Sequence, residues 1–302
     1  MITFPINKIV CEGTDLSGKS TLYNEIHKRS KYKWNIDDRS GLSMCVYSKL
    51  YGRDDFYHRN NLHLEMSNLN NQFVLLYPGM DDLQDRFLDR GDEIQDLDSL
   101  HDLYVLFGKE FERYYLCPNF HIFQSGSSSD QAKELISRFR RLENISVKNI
   151  GKYVRDFAKA QISNESTTVQ FHFYDDGTFE DVDDNIEFTP GEETYYAGIR
   201  GKFLGKIENE LQGINRYERK ETIESRRFIF SGDECISFIQ AIVRDGLLDM
   251  HAVFRSSDAV HKTTSDIQLI HYLGREVFRM LRLNPDEYRA RFRFNINSAH
   301  II

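Results

Sequence analysis

The chain has 302 residues, 40% of them hydrophobic and 28% charged, with a formal net charge of −8. This is the composition of a folded soluble protein, and the length predicts two domains. The acidic balance argues against a broad face for a nucleic-acid backbone but leaves a local basic pocket open.

Aromatic residues (22 Phe and 16 Tyr) are enough for each half to bury a core, and only 5 Pro are present. No low-complexity tract or internal repeat occurs, so a long disordered linker is not expected. No apolar run approaches the ~18–20 residues of a membrane span. The N-terminus runs straight into strand-like sequence without a signal-peptide pattern. The four cysteines, Cys11, Cys45, Cys117 and Cys235, lack CxxC spacing and a zinc-type His cluster. These features predict a cytoplasmic protein with free thiols and no membrane partner.

In chain order, KIVCEG reads as a buried parallel strand. It runs into G-T-D-L-S-G-K-S, Gly13 to Ser20, and then into TLYNEIHKRSKYK, with Leu22 and Ile26 at helical spacing. Strand, glycine loop and helix stand in the order that a phosphate-binding loop needs. Gly13 and Gly18 let backbone N–H groups turn toward a phosphate, and the helix dipole points its positive end there. Ser17, Gly18 and Thr21 belong to the same cradle. Lys19 would reach the β/γ-phosphates, and Ser20 would ligate Mg²⁺.

EGTDLSGKST resembles the nucleotide-binding loop of the thymidylate kinase family, an α/β fold with a parallel sheet and flanking helices. Asp38-Arg39-Ser40 resembles the family's D-R-[YS] motif, at the end of strand-like KWNID. QFVLLYP (72–78) reads as a buried strand. DRFLDRGDE (85–93) resembles the arginine-bearing lid, NFHIFQSG (119–126) the last strand and DQAKELISRFRRL the closing helix. The resemblance spans about residues 5 to 145. It implies ATP and Mg²⁺, with Asp15 against the acceptor sugar and Arg39 on the acceptor phosphate. Asp38 would orient the metal or take the acceptor proton. Arg86 and Arg90 would close over the transferring phosphoryl group. About eighteen residues separate Ser20 from the Asp38-Arg39 pair, and the family's R-E-P insert is absent. The acceptor site must then be built otherwise, with Arg53, Tyr57 and Arg59 as candidates. The short interval also resembles polynucleotide kinases, so a DNA acceptor stays open.

NISVKNIGKYVRDFAKAQI (144–162) predicts a helix, and TVQFHFYDDGTFEDV predicts a hairpin about Asp-Gly. The change from α/β alternation to strands plus long helices puts the boundary near 148, giving domains 1–148 and 149–302. VRDGLLDMHAVF predicts two strands joined at Asp245-Gly246. DIQLIHYLGREVFRML predicts an amphipathic helix with Ile267, Ile270, Leu273 and Val277 on one face.

Cys235, Gln240 and Arg255-Ser256-Ser257-Asp258 fall at intervals that resemble the thymidylate synthase family, an α+β fold. The family's next polar position falls on Asp266. Ser225-Arg226-Arg227 resembles the segment that crosses a homodimer interface to grip the partner's substrate phosphate. FNINSAHII resembles the strand bearing a sugar-binding histidine, here His300. The resemblance implies a dNMP site in which the Cys235 thiolate adds to the pyrimidine C6, and C5 then attacks a one-carbon unit carried by methylenetetrahydrofolate. Arg255 would favour the thiolate and hold the 5′-phosphate with Ser256. An aspartate at 266 accepts hydrogen bonds only when ionised, which favours the amino group of cytosine over the O4 of uracil, as in the deoxycytidylate hydroxymethylases. Glu234 and Lys262 replace the family's proline and glycine.

The expected function is a deoxypyrimidine nucleotide kinase joined to a synthase- or hydroxymethylase-like domain leaning to dCMP, a fusion suited to a bacteriophage. Two alternatives stand beside it. One is a hydroxymethylpyrimidine DNA kinase or polynucleotide kinase with a base-recognition domain. The other is a non-catalytic nucleotide-binding regulator.

Overall fold

A computed structural model describes residues 1–90, 96–161, 167–182, 190–212, 223 and 227–300. The chain divides into two compact units, one of Ile6–Leu142 and one of Met1–Pro5 with Glu143–Ile302. The first strand, β1 (Ile2–Thr3), pairs antiparallel with β6 (Thr167–Asp175), and the Phe4 N–H donates to the Glu143 carbonyl at 2.9 Å. These bonds assign the first five residues to the later unit. They interrupt the contiguous 1–148 domain read from sequence, and the division falls at 142/143.

The unit Ile6–Leu142 is a mixed α/β fold around an all-parallel four-stranded sheet. Its strands are β2 (Lys8–Gly13), β3 (Ile36–Asp37), β4 (Asn71–Leu76) and β5 (Phe120–Phe123), in the order β3-β2-β4-β5. β4 is buried at every position, as a parallel strand between two neighbours must be. Among the described residues the helices that follow the strands are α1 (Lys19–Ser30), α2 (Gly41–Leu50), α3 (Phe56–Ser67), α4 (Met80–Arg90), α5 (Leu97–Tyr114) and α6 (Ser128–Glu143). Ser40 caps α2 by accepting from Leu42 N–H, and Asp96 caps α5 through Ser99 N–H. Leu22 and Ile26 of α1 meet Ile9, Cys11, Val74, Leu135 and Phe139 in one core.

The other unit carries a mixed, mainly antiparallel seven-stranded sheet. Its order is β1-β6-β11-β9-β8-β7, with β10 (Ser257–Asp258) beside β11 (Arg289–His300). β7 (Arg227–Ser231), β8 (Ile236–Arg244) and β9 (Leu247–Phe254) form a meander. Asp245 (φ 49°) and Gly246 (φ 72°) close the expected two-residue turn, both in the left-handed region that such hairpins need. One sheet face buries Phe171, Phe173, Phe254, Phe292 and Phe294. Phe171 and Phe294 are register partners, stacked at 4.7 Å. Its longer helices among the described residues are α7 (Val147–Ala160), α8 (Pro190–Gln212) and α9 (Thr263–Met280). The four apolar positions expected on α9 are all buried. The hairpin expected at Asp176-Gly177 is not formed. β6 pairs with β1 and β11 instead, and Asp175 Oδ1 accepts from the Gly177 and Phe179 N–H groups at 2.8 and 3.1 Å, curling the chain into a turn.

Among the described residues no helix is long and apolar enough to cross a membrane, and no group of three or more His, Cys, Asp or Glu could hold a metal ion.

Candidate functional site

The glycine loop joins β2 to α1, and its shape follows from strand pairing. Gly13 closes β2 opposite Leu76 of β4 with φ 139°. A Cβ there would lie 2.4 Å from the Leu76 carbonyl oxygen, so only glycine fits. Gly18, at φ 99°, caps α1 and aims its N-terminus into the loop. Lys19 folds back over the loop, its ammonium donating to the Gly13 and Thr14 carbonyls at 2.9 and 2.7 Å. Burial pushes its pKa below the usual lysine range, with Asp15 and Asp38 opposing the shift. The hydroxyls of Thr14 and Ser17 are buried without a hydrogen-bond partner. Buried donors are almost always satisfied, so two unsatisfied hydroxyls beside the Lys19 ammonium and a helix N-terminus fit a phosphate group.

Beside this loop lies a cavity of about 390 Å³ lined by Leu16, Ser17, Gly18 and Thr21, by Asp82, Arg86 and Arg90 of α4, and by 123–128. Arg86 and Arg90 thus share a cavity with the loop. The Arg86 guanidinium donates to the Leu16 carbonyl at 2.8 Å. The end of the lid expected at 85–93 lies outside the described residues. Ser20 and Asp38 are solvent-exposed oxygen donors near Lys19. Hard oxygen ligands of this kind suit Mg²⁺, which keeps several waters and takes few protein ligands.

Glu12, the charged residue inside the apolar strand KIVCEG, is wholly buried. It accepts from the Ser40 N–H at 2.8 Å and from the hydroxyls of Ser40 and Ser43. Burial raises its pKa, with those bonds opposing. It ties the segment bearing Asp38 and Arg39 to the loop. On the same side, Asp15 accepts from Arg39 at 3.2 Å and from the Tyr47 hydroxyl at 2.9 Å, and the Arg39 guanidinium lies 5.1 Å from the Tyr47 ring centre. Neither Glu12 nor Tyr47 is among the site residues expected from sequence. A carboxylate in a buried strand was the available signal for the first, and none marked the second. Of the acceptor candidates, Arg59 is otherwise committed. It makes a two-pronged pair with buried Glu110 at 2.7 and 2.8 Å and a further bond to Asp55 at 3.1 Å, which corrects its assignment.

In the other unit a cavity of about 560 Å³ gathers Cys235, Ser256, Asp258, Asp266 and His300. A register shift between Ile236 and Phe238 bulges β8 just after Cys235 and re-aims the strand end. The Ser256 hydroxyl lies 3.8 Å from the Cys235 sulfur. Asp266 is buried. Its Oδ1 accepts from the Tyr196 hydroxyl at 2.7 Å and its Oδ2 from Ser257 at 2.8 Å. Burial raises its pKa to about 6. Two lone-pair positions remain for another donor. Asp258 is occupied by its own turn, accepting from Val260 and His261 N–H and lying 2.9 Å from the His261 ring.

Three further expected contacts are not brought to the cavity. Arg255 is exposed, its backbone N–H bonded to the Cys235 carbonyl at 2.8 Å. Arg227 and Gln240 stand on β7 and β8 away from the lining. Ser225 and Arg226 lie outside the described residues. Tyr195 and Tyr196 of α8 were not anticipated, since α8 has no sequence link to Cys235. Tyr195 accepts from Ile236 N–H at 3.1 Å.

No family model matches the chain, and no curated relative matches it. Among solved structures, the YorR protein of Bacillus subtilis in complex with phosphorylated GDP is 19% identical, with a TM-score of 0.39. The match covers 46% of this chain and 99% of that one. At this level of similarity neither fold nor ligand carries across.

Proposed function

We propose that the unit Ile6–Leu142 is a Mg·ATP-dependent phosphotransferase whose acceptor is a pyrimidine deoxynucleotide. The observation that carries this reading is the loop at Gly13–Thr21. It joins a folded-back Lys19, two unsatisfied buried hydroxyls, a helix N-terminus and a cavity lined by Arg86 and Arg90. The triphosphate occupies that cavity. Lys19 turns from the loop carbonyls to the β/γ-phosphates. Ser20 and Asp38 would hold a Mg²⁺ ion, which would supply positive charge against the developing phosphate charge. Arg86 and Arg90 stabilise the transferring phosphoryl group, and Asp15, Asp38 and Arg39 face the acceptor.

The other cavity holds the pyrimidine nucleotide, with the base toward Asp266 and the sugar toward His300. Aspartate at 266 favours cytosine or a modified cytosine. A Cys235 thiolate at its mouth is suited to add to the pyrimidine C6, with methylenetetrahydrofolate as the one-carbon donor. The protein would then act in deoxypyrimidine nucleotide metabolism, as a homodimer through the later unit.

The test is transfer of the γ-phosphate from labelled ATP to a panel of dCMP, dUMP, dTMP, their hydroxymethyl forms and DNA containing them. Lys19→Met should abolish transfer, and transfer that survives it would refute the assignment.

A further inference from the structure

On the acceptor side of the loop, α2 and the residues that flank it present alternating cations and aromatic rings. Arg39 lies over Tyr47. Tyr47 stacks with Tyr51 at 6.4 Å and 22°, and the Arg53 guanidinium lies 5.4 Å from the Tyr51 ring centre. The row starts at Asp15 in the phosphate loop and ends beside the start of α3, where Phe56 and Tyr57 stand 69% and 71% exposed. Tyr51 is 54% exposed. Lys49 and Arg59 beneath the row are paired with Asp55 and Glu110. Arg53 has no ion pair among the described residues, and Arg39 is half exposed beside Asp15.

We infer that this row is a track for a single-stranded polynucleotide, which presents the acceptor nucleotide to the phosphate loop. The inference rests on the phosphotransferase reading and names the form of its acceptor. Single strands are held by aromatic faces that stack bases and by cations that follow the phosphates, without base-specific contacts. A free mononucleotide needs a concave site that covers most of its surface. The rings of Tyr51, Phe56 and Tyr57 instead stand exposed at the surface. In the reaction, a hydroxyl oxygen of the strand bonds to the γ-phosphorus of the triphosphate. The bond from that phosphorus to the β,γ-bridging oxygen breaks. The nucleoside diphosphate leaves with the bond's electron pair, and the hydroxyl proton passes to Asp38.

The test is fluorescence anisotropy of the full-length protein with a fluorescein-labelled oligothymidylate of about ten nucleotides, without triphosphate. Wild type should bind it more weakly as salt rises. Tyr51→Ala should weaken binding about tenfold, and Tyr51→Trp should keep it. Arg53→Gln should both weaken binding and flatten its salt dependence. An oligouridylate arm identifies the sugar, since binding of either strand supports a polynucleotide track. Failure of both strands to bind, or binding that Tyr51→Ala leaves unchanged, overturns it. Binding of a fluorescent ATP analogue to wild type and to Lys19→Ala reads the phosphotransferase assignment separately. Triphosphate binding without strand binding sinks the track alone. Strand binding without triphosphate binding sinks the kinase reading alone.

Discussion

The Tyr196 hydroxyl donates to Oδ1 of Asp266 at 2.7 Å, within a wall of the cavity that also holds Cys235. Tyr196 comes from α8 and Asp266 from the first turn of α9, so the bond joins two helices distant in sequence. Burial outweighs the two hydroxyl donors and raises the Asp266 pKa from 3.8 to about 6.

This relation sets a pH dependence. Between these two pKa values the folded protein binds more protons at Asp266 than the unfolded chain does. Stability therefore falls as pH rises from about 4 to about 6 and then levels. Asp266→Asn removes the titration while keeping the shape. Its unfolding free energy should gain on wild type by on the order of 2–3 kcal/mol across that interval. Denaturant unfolding at successive pH values measures the difference, and parallel curves for the two proteins would count against the shift.

Gly13→Ala places a methyl group 2.4 Å from the Leu76 carbonyl, a backbone atom that cannot turn aside. The left-handed φ adds strain. A loss of about 2–4 kcal/mol in stability is expected, together with lost triphosphate affinity. Calorimetry of unfolding and of ATP binding checks both. Normal ATP affinity in a destabilised variant would detach the loop from binding.

Arg59→Ala leaves Glu110 buried without its principal partner. A cost of about 3–5 kcal/mol is expected. Arg59→Ala with Glu110→Gln should recover part of it. ATP affinity should stay at the wild-type value in any fraction that folds, because neither residue lines the cavity beside the glycine loop. A selective loss of acceptor affinity at unchanged stability would restore Arg59 to the acceptor site.

Cys11, Cys45 and Cys117 are buried, and burial raises the Cys11 and Cys45 thiols to about 12 and about 11. Cys235 is partly exposed in its cavity. Iodoacetamide under native conditions should therefore modify Cys235 first, and a pyrimidine nucleotide should slow the reaction. Intact-mass and peptide mapping read the site. Equal labelling of all four thiols would contradict the cavity.

Much of the site was legible because its signals are local. The strand, glycine loop and helix at 8–30 are contiguous, so spacing alone locates Gly13, Lys19 and Ser20. The helix at 263–280 was legible from its 3.6-residue period, and the Asp245-Gly246 turn from its residue types. The Asp176-Gly177 signal does not yield a hairpin, because long-range pairing of β6 with β1 and β11 overrides a local turn preference.

The order of residues in the chain by itself determined the glycine loop between strand and helix and the amphipathic elements, since those depend on neighbours within a few positions. Only the tertiary structure decided which distant groups meet. It set Tyr196 against Asp266, buried Glu12 under Ser40 and Ser43, and placed Tyr47 on Asp15. It also withdrew Arg59 into an ion pair with Glu110 and left Arg255 exposed to solvent. Burial and pairing are properties of the folded surface, and sequence spacing carries no measure of either.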